Sequence, residues 1–281
     1  MNHHLITLKA YASKFYRLYA GITVFALSAI AGQAQSIDLS NPAVTSGVIN
    51  RAIFSVDTSS PSGSGIFTRD TQGVFETIQE TGVEQGYNTS ASNIMDTKRV
   101  PQFNYELQFS DLHVVDIGGS LYVPFLLDIN EPGNDNNLLV LDDVRIFTSI
   151  VSGASYPTLA SMLNTPNLNQ VYSLDNTVGE TLSYVLLDYN RVSSGSGGAD
   201  MGMFIPLDVF NGTRGSDYVY LYSKFGGDLV STGIDGSASG GFEEWTLGAG
   251  AAPIPEPGSA VLIGGVGLLV LLRRRRVTLR A

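Results

Sequence analysis

The chain has 281 residues, with 26 acidic and 16 basic side chains and no cysteine. The missing cysteine excludes disulfides, thiol catalysis and thiolate metal sites. Eight of the basic residues lie at the two ends, so residues 35–257 carry 26 acidic against 8 basic residues, a formal charge of −18. Such a body repels nucleic acid and anionic lipid, because phosphate binding needs clustered Lys and Arg.

The N-terminus has the order of an export signal. Basic Lys9, Lys14 and Arg17 precede an apolar run at 18–31, and Gly32-Gln33-Ala34 places small residues where a signal peptidase reads them. The run is about 21 Å long as a helix, short against a hydrocarbon core of about 30 Å. It suits a cleaved signal at 1–34 better than an anchor.

From residue 35 the apolar period is two. Phe103, Tyr105, Leu107 and Phe109 alternate with polar residues, and Tyr218, Tyr220 and Tyr222 alternate along a later run. Further strands are predicted at 52–56, 73–78, 112–117, 121–128, 138–147, 182–189 and 201–209. Gly-, Ser-, Asn- and Asp-rich turns lie between them, at 59–65, 193–198 and 233–241. Only 157–164 reads as helix, with Pro157 at its first position and Leu159, Met162 and Leu163 on one face. The predicted fold class is all-β, an antiparallel β-sandwich or jelly roll over 35–247, with room for a sizeable core.

His113 is the sole histidine left once the signal is removed, so a two-histidine zinc site is excluded. A Ser-His-Asp arrangement with Asp111 or Asp116 needs only one histidine. No Gly-x-Ser-x-Gly elbow accompanies it, and a half-exposed strand histidine is the simpler reading.

Leu126-Leu127-Asp128-Ile129-Asn130 is echoed by Leu186-Leu187-Asp188-Tyr189-Asn190, each copy running into a Gly-containing loop. Asp and Asn spaced by two favour Asx-turns that stop a strand. The alternative is calcium, the one cofactor considered, held by hard oxygens of Asp128, Asn130, Asp135, Asp142 and Asp143 around the first loop. The EF-hand pattern fails there, with Pro132 and Leu139 at two ligand positions.

Two further features bear on sugars. Tyr218, Tyr220, Tyr222 and Trp245 are candidate stacking platforms, set against ordinary packing of strand tyrosines. Glu243-Glu244 is the conspicuous acidic pair for glycoside hydrolysis, but neighbouring strand residues face opposite ways. We read residues 241–245 as the last strand, fastened to the core by Phe242 and Trp245.

The C-terminus has three parts. A flexible linker at 248–257 ends in Pro255-Glu256-Pro257, an apolar run occupies 258–272, and Arg273, Arg274, Arg275 and Arg276 follow within an Arg-rich end at 273–281. The run would make a short transmembrane helix of about 22 Å, with the arginines stopping transfer on the cytoplasmic side. In this order the three parts resemble the PEP-CTERM sorting signal of bacterial envelope proteins. Ile254 stands for that family's usual Val, and Gly258 follows the second proline. The resemblance covers about residues 253–276. It implies recognition by an exosortase, a membrane-embedded cysteine protease-transpeptidase, with cutting near Pro255-Glu256-Pro257. It also implies a bacterium that makes extracellular polysaccharide.

The combined expectation is a non-enzymatic protein exported across the inner membrane and transiently anchored by its tail. Its role would be structural or adhesive, in the cell envelope or matrix, on extracellular polysaccharide. A non-catalytic carbohydrate-binding module is the second reading and a carboxylate glycosidase the third. The acidic charge adds the expectation that divalent cations bridge the body to acidic polysaccharide.

Overall fold

Alternating apolar residues drive strand formation because one face can then be buried while the backbone pairs laterally. The computed structural model describes residues 35–56, 69–92, 94–98, 102–131, 137–175, 183–192, 198–227, 233–249 and 252–253. The signal segment, Asp135, Pro255, Glu256, Pro257 and Arg273 to Arg276 lie outside the described residues.

The strands are β1 (Ser36–Asp38), β2 (Ser46–Ile49), β3 (Ala52–Ser55), β4 (Arg69–Ile78), β5 (Thr81–Gly82) and β6 (Glu84–Tyr87). Next come β7 (Leu107–Gln108), β8 (His113–Ile117), β9 (Ser120–Ile129), β10 (Leu138–Ser149), β11 (Asn169–Ser173) and β12 (Tyr184–Asp188). The last are β13 (Met201–Pro206), β14 (Tyr218–Phe225), β15 (Ala238–Ser239), β16 (Glu243–Gly248) and β17 (Ala252–Pro253). The first sheet runs β1-β12-β10-β14-β6, with β11 beside β10 and β7 beside β14. The second runs β17-β8-β9-β13-β3-β2, with β16 bridging β9 and β4.

The two sheets share one apolar core. Val123, Phe125, Leu127 and Ile129 of β9 and Met201, Met203 and Ile205 of β13 meet Leu139, Leu141, Val144 and Ile146 of β10 and Val219 and Leu221 of β14. The inward phase of β10 shifts by one residue between Leu141 and Val144. A register break against β14 between Leu141 and Asp143 produces that shift. The architecture is the all-β sandwich expected, with one difference: β1 joins β12 in parallel, Ser36 opposite Tyr184.

Three local expectations need correction. Residues 103–110 form only the short β7, followed by a 3-10 turn at Phe109–Asp111. Asn104 points inward because its Oδ1 accepts from Thr77 N at 2.8 Å and its amide donates to Lys98 O, so Phe103 is turned outward. Among the described residues the single α-helix, α1, spans Leu159–Leu163. Its N-cap is Thr158, whose side chain accepts from Ser161 N, so Pro157 precedes the helix. Met162 is buried and Leu163 exposed. Finally, β16 is not the last strand. Beyond the expected boundary at 247, β17 pairs with β8, Ala252 opposite Val114.

Candidate functional site

The four aromatic residues considered as sugar platforms do not form one surface. Trp245 is fully buried between the sheets, where its Nε1 donates to Ser223 Oγ at 3.1 Å. Tyr220 and Tyr222 project from the opposite face of β14, but that face is covered by residues 150–168. Tyr220 packs edge-on against Tyr87 with ring centroids 6.2 Å apart. Its hydroxyl donates to Val151 O at 3.3 Å and accepts from Ala154 N at 3.4 Å. Tyr87 OH donates to Ala154 O at 3.2 Å and accepts from Tyr156 N at 2.7 Å. Burial pushes the Tyr87 hydroxyl up to about 12. These rings fasten a covering segment, and, contrary to the sequence expectation, Tyr220, Tyr222 and Trp245 present no open ring face for a sugar to stack on. Tyr218 is half-buried at the edge of the same cluster.

The described candidate calcium ligands are likewise divided between the two sheets. Asp128 lies on β9 in the second sheet, opposite Glu244, whereas Asp142 and Asp143 lie on β10 in the first. Asp143 Oδ2 accepts from Arg145 Nε at 2.6 Å, and Asp142 accepts from Gly227 N. Burial pushes Asp142 up to about 6, against the opposing pull of Lys224. Asn130 N donates to Phe242 O at 3.0 Å. Among the described residues no three His, Cys, Asp or Glu side chains form a metal-holding group. The second echo copy behaves as an Asx-turn, Asn190 N donating to Asp188 Oδ1 at 2.9 Å. In the first copy Asp128 stays within its strand.

His113 is half-buried on β8, opposite Pro253. Asp111 accepts from Gln108 N at 2.7 Å and Asp116 from Gly119 N at 2.7 Å, so both carboxylates serve local backbone turns.

An acidic cluster of distant residues is the feature that sequence reasoning missed. Glu84 of β6 and Glu243 of β16 are both 0 % exposed. Burial raises both, and the two carboxyl groups titrate as a coupled pair, an interaction that raises Glu243 further and lowers Glu84. Glu84 Oε2 also accepts from Glu80 N at 2.7 Å. Glu131 lies nearby, takes both the N–H and the hydroxyl of Ser239, and is pushed by burial up to about 7. Glu76 is raised by burial too and accepts from Ser223 Oγ at 3.4 Å. Raised carboxyl groups are a common sign of acid catalysis. Here Glu84 and Glu243 are sealed in the interior, where no substrate can touch them.

The open site lies elsewhere. A cleft of about 390 Å³ sits where the start of β9, the end of β13 and the β2–β3 turn meet. Arg51 in that turn places Nη2 2.7 and 2.6 Å from the two carboxylate oxygens of Asp208, which belongs to the 3-10 turn Leu207–Phe210. Leu121, Tyr122 and Pro206 provide its apolar wall. Tyr122 is held against Phe204 and Val115. Nothing local marks this site, since Arg51 and Asp208 are 157 positions apart.

The PEP-CTERM protein-sorting motif matches residues 253–276, beginning within β17. The chain carries a PEP-CTERM sorting tail. The tail marks an exported, exosortase-targeted protein sorted to the cell envelope. Comparison with curated proteins and with solved structures finds no match. Among the described residues no helix is long and apolar enough to cross a membrane.

Proposed function

We propose that the β-sandwich is the delivered part of this exported protein and has a structural or adhesive, non-catalytic role in the envelope or matrix, on extracellular polysaccharide. The PEP-CTERM motif at 253–276 carries the reading. In this reading a signal peptidase removes residues 1–34, and the short apolar run holds the chain in the inner membrane until an exosortase cuts the tail. Two properties of the sandwich favour a non-catalytic role. Its most perturbed carboxyl groups are enclosed, and its net negative charge disfavours anionic partners other than those bridged by cations.

The test is retention. In the producing bacterium, the full chain is expected in the washed extracellular matrix, while a chain ending at residue 254, which keeps β17, is expected in the culture medium. Equal retention of both would refute a tail-dependent envelope role. Release of both would refute a matrix role altogether.

A further inference from the structure

Arg51 occupies a costly position. The β2–β3 connection is a two-residue turn, Asn50-Arg51, with Ile49 opposite Ala52. Both turn residues have positive φ, 48° and 74°. Asn tolerates that region, but the second position of such a turn ordinarily takes Gly, because a Cβ there crowds the backbone. Asn50 has a structural reason to be present: its amide donates to Ser173 O at 3.0 Å and Leu174 O at 2.7 Å. Arg51 has none of that kind. Its bond to Asp208 is an ion pair with side chains 63 % and 56 % exposed, and such pairs add little stability. Backbone strain that stability does not explain is a mark of function.

The strained residue also borders the cleft, which is an independent observation. Arg51 uses only Nη2 on Asp208, which leaves Nε and Nη1 as donors. Asp208 keeps lone pairs as acceptors, fixed by the same ion pair. Ser120 and Asn211 add a hydroxyl and an amide on the rim, and Leu121 exposes an apolar side chain beside Tyr122. Fixed donors and acceptors beside an aliphatic and aromatic wall match a molecule with hydroxyls on its edge and C–H groups on its face. A phosphate or carboxylate ligand fits poorly, because the Asp208 carboxylate already neutralises Arg51 and would repel it.

We propose that the Arg51–Asp208 cleft binds a neutral, hydroxyl-rich sugar unit, the ion pair grasping adjacent hydroxyls while the apolar wall of the cleft takes the C–H face of the ring. This deepens the polysaccharide role proposed above and rests on that reading for its biological setting. The chemistry of the cleft does not depend on it.

The test uses mature protein recovered from producing cells. Its ligands are cellohexaose, maltohexaose and the neutral oligosaccharides released by mild acid from those cells' own polysaccharide, followed by titration calorimetry. Saturable binding is expected for at least one of them, weakened at least tenfold in Arg51→Gly and in Asp208→Asn. Arg51→Gly is also expected to melt at the same temperature as the natural protein or above it, since glycine relieves the turn. That combination separates a binding role from a structural one. Absence of binding to every ligand, or undiminished binding by both variants, would overturn the proposal. Matrix retention of the full chain in the same cells distinguishes the two readings. Retention without oligosaccharide binding removes the cleft but leaves the envelope role, and release of the full chain removes the envelope role whatever the cleft binds.

Discussion

The indole of Trp245 donates to Ser223 Oγ at 3.1 Å across the interior, and Ser223 in turn donates to Glu76 Oε1 at 3.4 Å. This short relay links β16 of one sheet to β14 of the other, and back to β4. Polar groups without water must find partners of this kind, so the serine and the tryptophan depend on one another.

Replacing Trp245 with Phe should therefore do two things at once. It leaves a cavity and removes the donor to Ser223, for a combined loss of roughly 2–4 kcal/mol. Urea unfolding followed by circular dichroism measures it. Trp245 is the only tryptophan, so the natural protein should also show blue-shifted emission that moves to the red on unfolding. Emission already red-shifted in the folded protein would place the indole in water.

The buried carboxyl groups give the fold an unusual pH dependence. Glu76, Glu84, Glu131 and Glu243 all titrate above the ordinary value of 4.5 in the folded protein, chiefly because of burial. Between their unfolded and folded values the folded state holds more protons than the unfolded one. Stability therefore falls as pH rises. The decline should begin near pH 4.5 and continue through about 7, where Glu131 ionises. Melting temperature against pH from 4 to 9 checks the slope. Glu243→Gln keeps the size of the buried side chain but cannot ionise. It should raise the melting temperature at pH 8 by on the order of 5 °C and leave it nearly unchanged at pH 5.

Gly241 fixes the approach of β16 to the end of β9. A Cβ at this position would lie 1.6 Å from Asn130 O. Backbone cannot move aside as a flexible side chain does, so Gly241→Ala must displace the start of β16 and the acidic cluster with it. A loss of about 3 kcal/mol or more is expected. Chemical denaturation would show it, and a loss below 1 kcal/mol would mean that the approach is looser than described.

Local pattern revealed the strands that are long apolar runs bounded by turn residues. Residues 121–128 are such a run, and Val123, Phe125 and Leu127 within it line the core. The run from Phe103 to Phe109 alternates apolar with polar residues, yet the buried amide of Asn104 reverses the pattern near its start. The tyrosines of β14 misled in another way. Their strand was legible, but the segment covering them lies about 60 positions earlier, and no local signal says that it folds over them. The acidic cluster and the cleft depend on closure of the sandwich. Glu84 and Glu243, like Arg51 and Asp208, are brought together only by tertiary structure; Glu243 stands out in sequence only beside Glu244, and Glu84, Arg51 and Asp208 read singly as ordinary surface charge. The sorting tail needed no folding to be recognised, because its three parts are contiguous.

The central claim is that export and tail removal produce the mature protein, and its intact mass after recovery from the envelope of producing cells tests this most directly. The account predicts a mass lacking residues 1–34 and the arginine cluster Arg273 to Arg276, with any added group attached near Pro255-Glu256-Pro257. A mature protein that still contains Arg273 to Arg276 would contradict it.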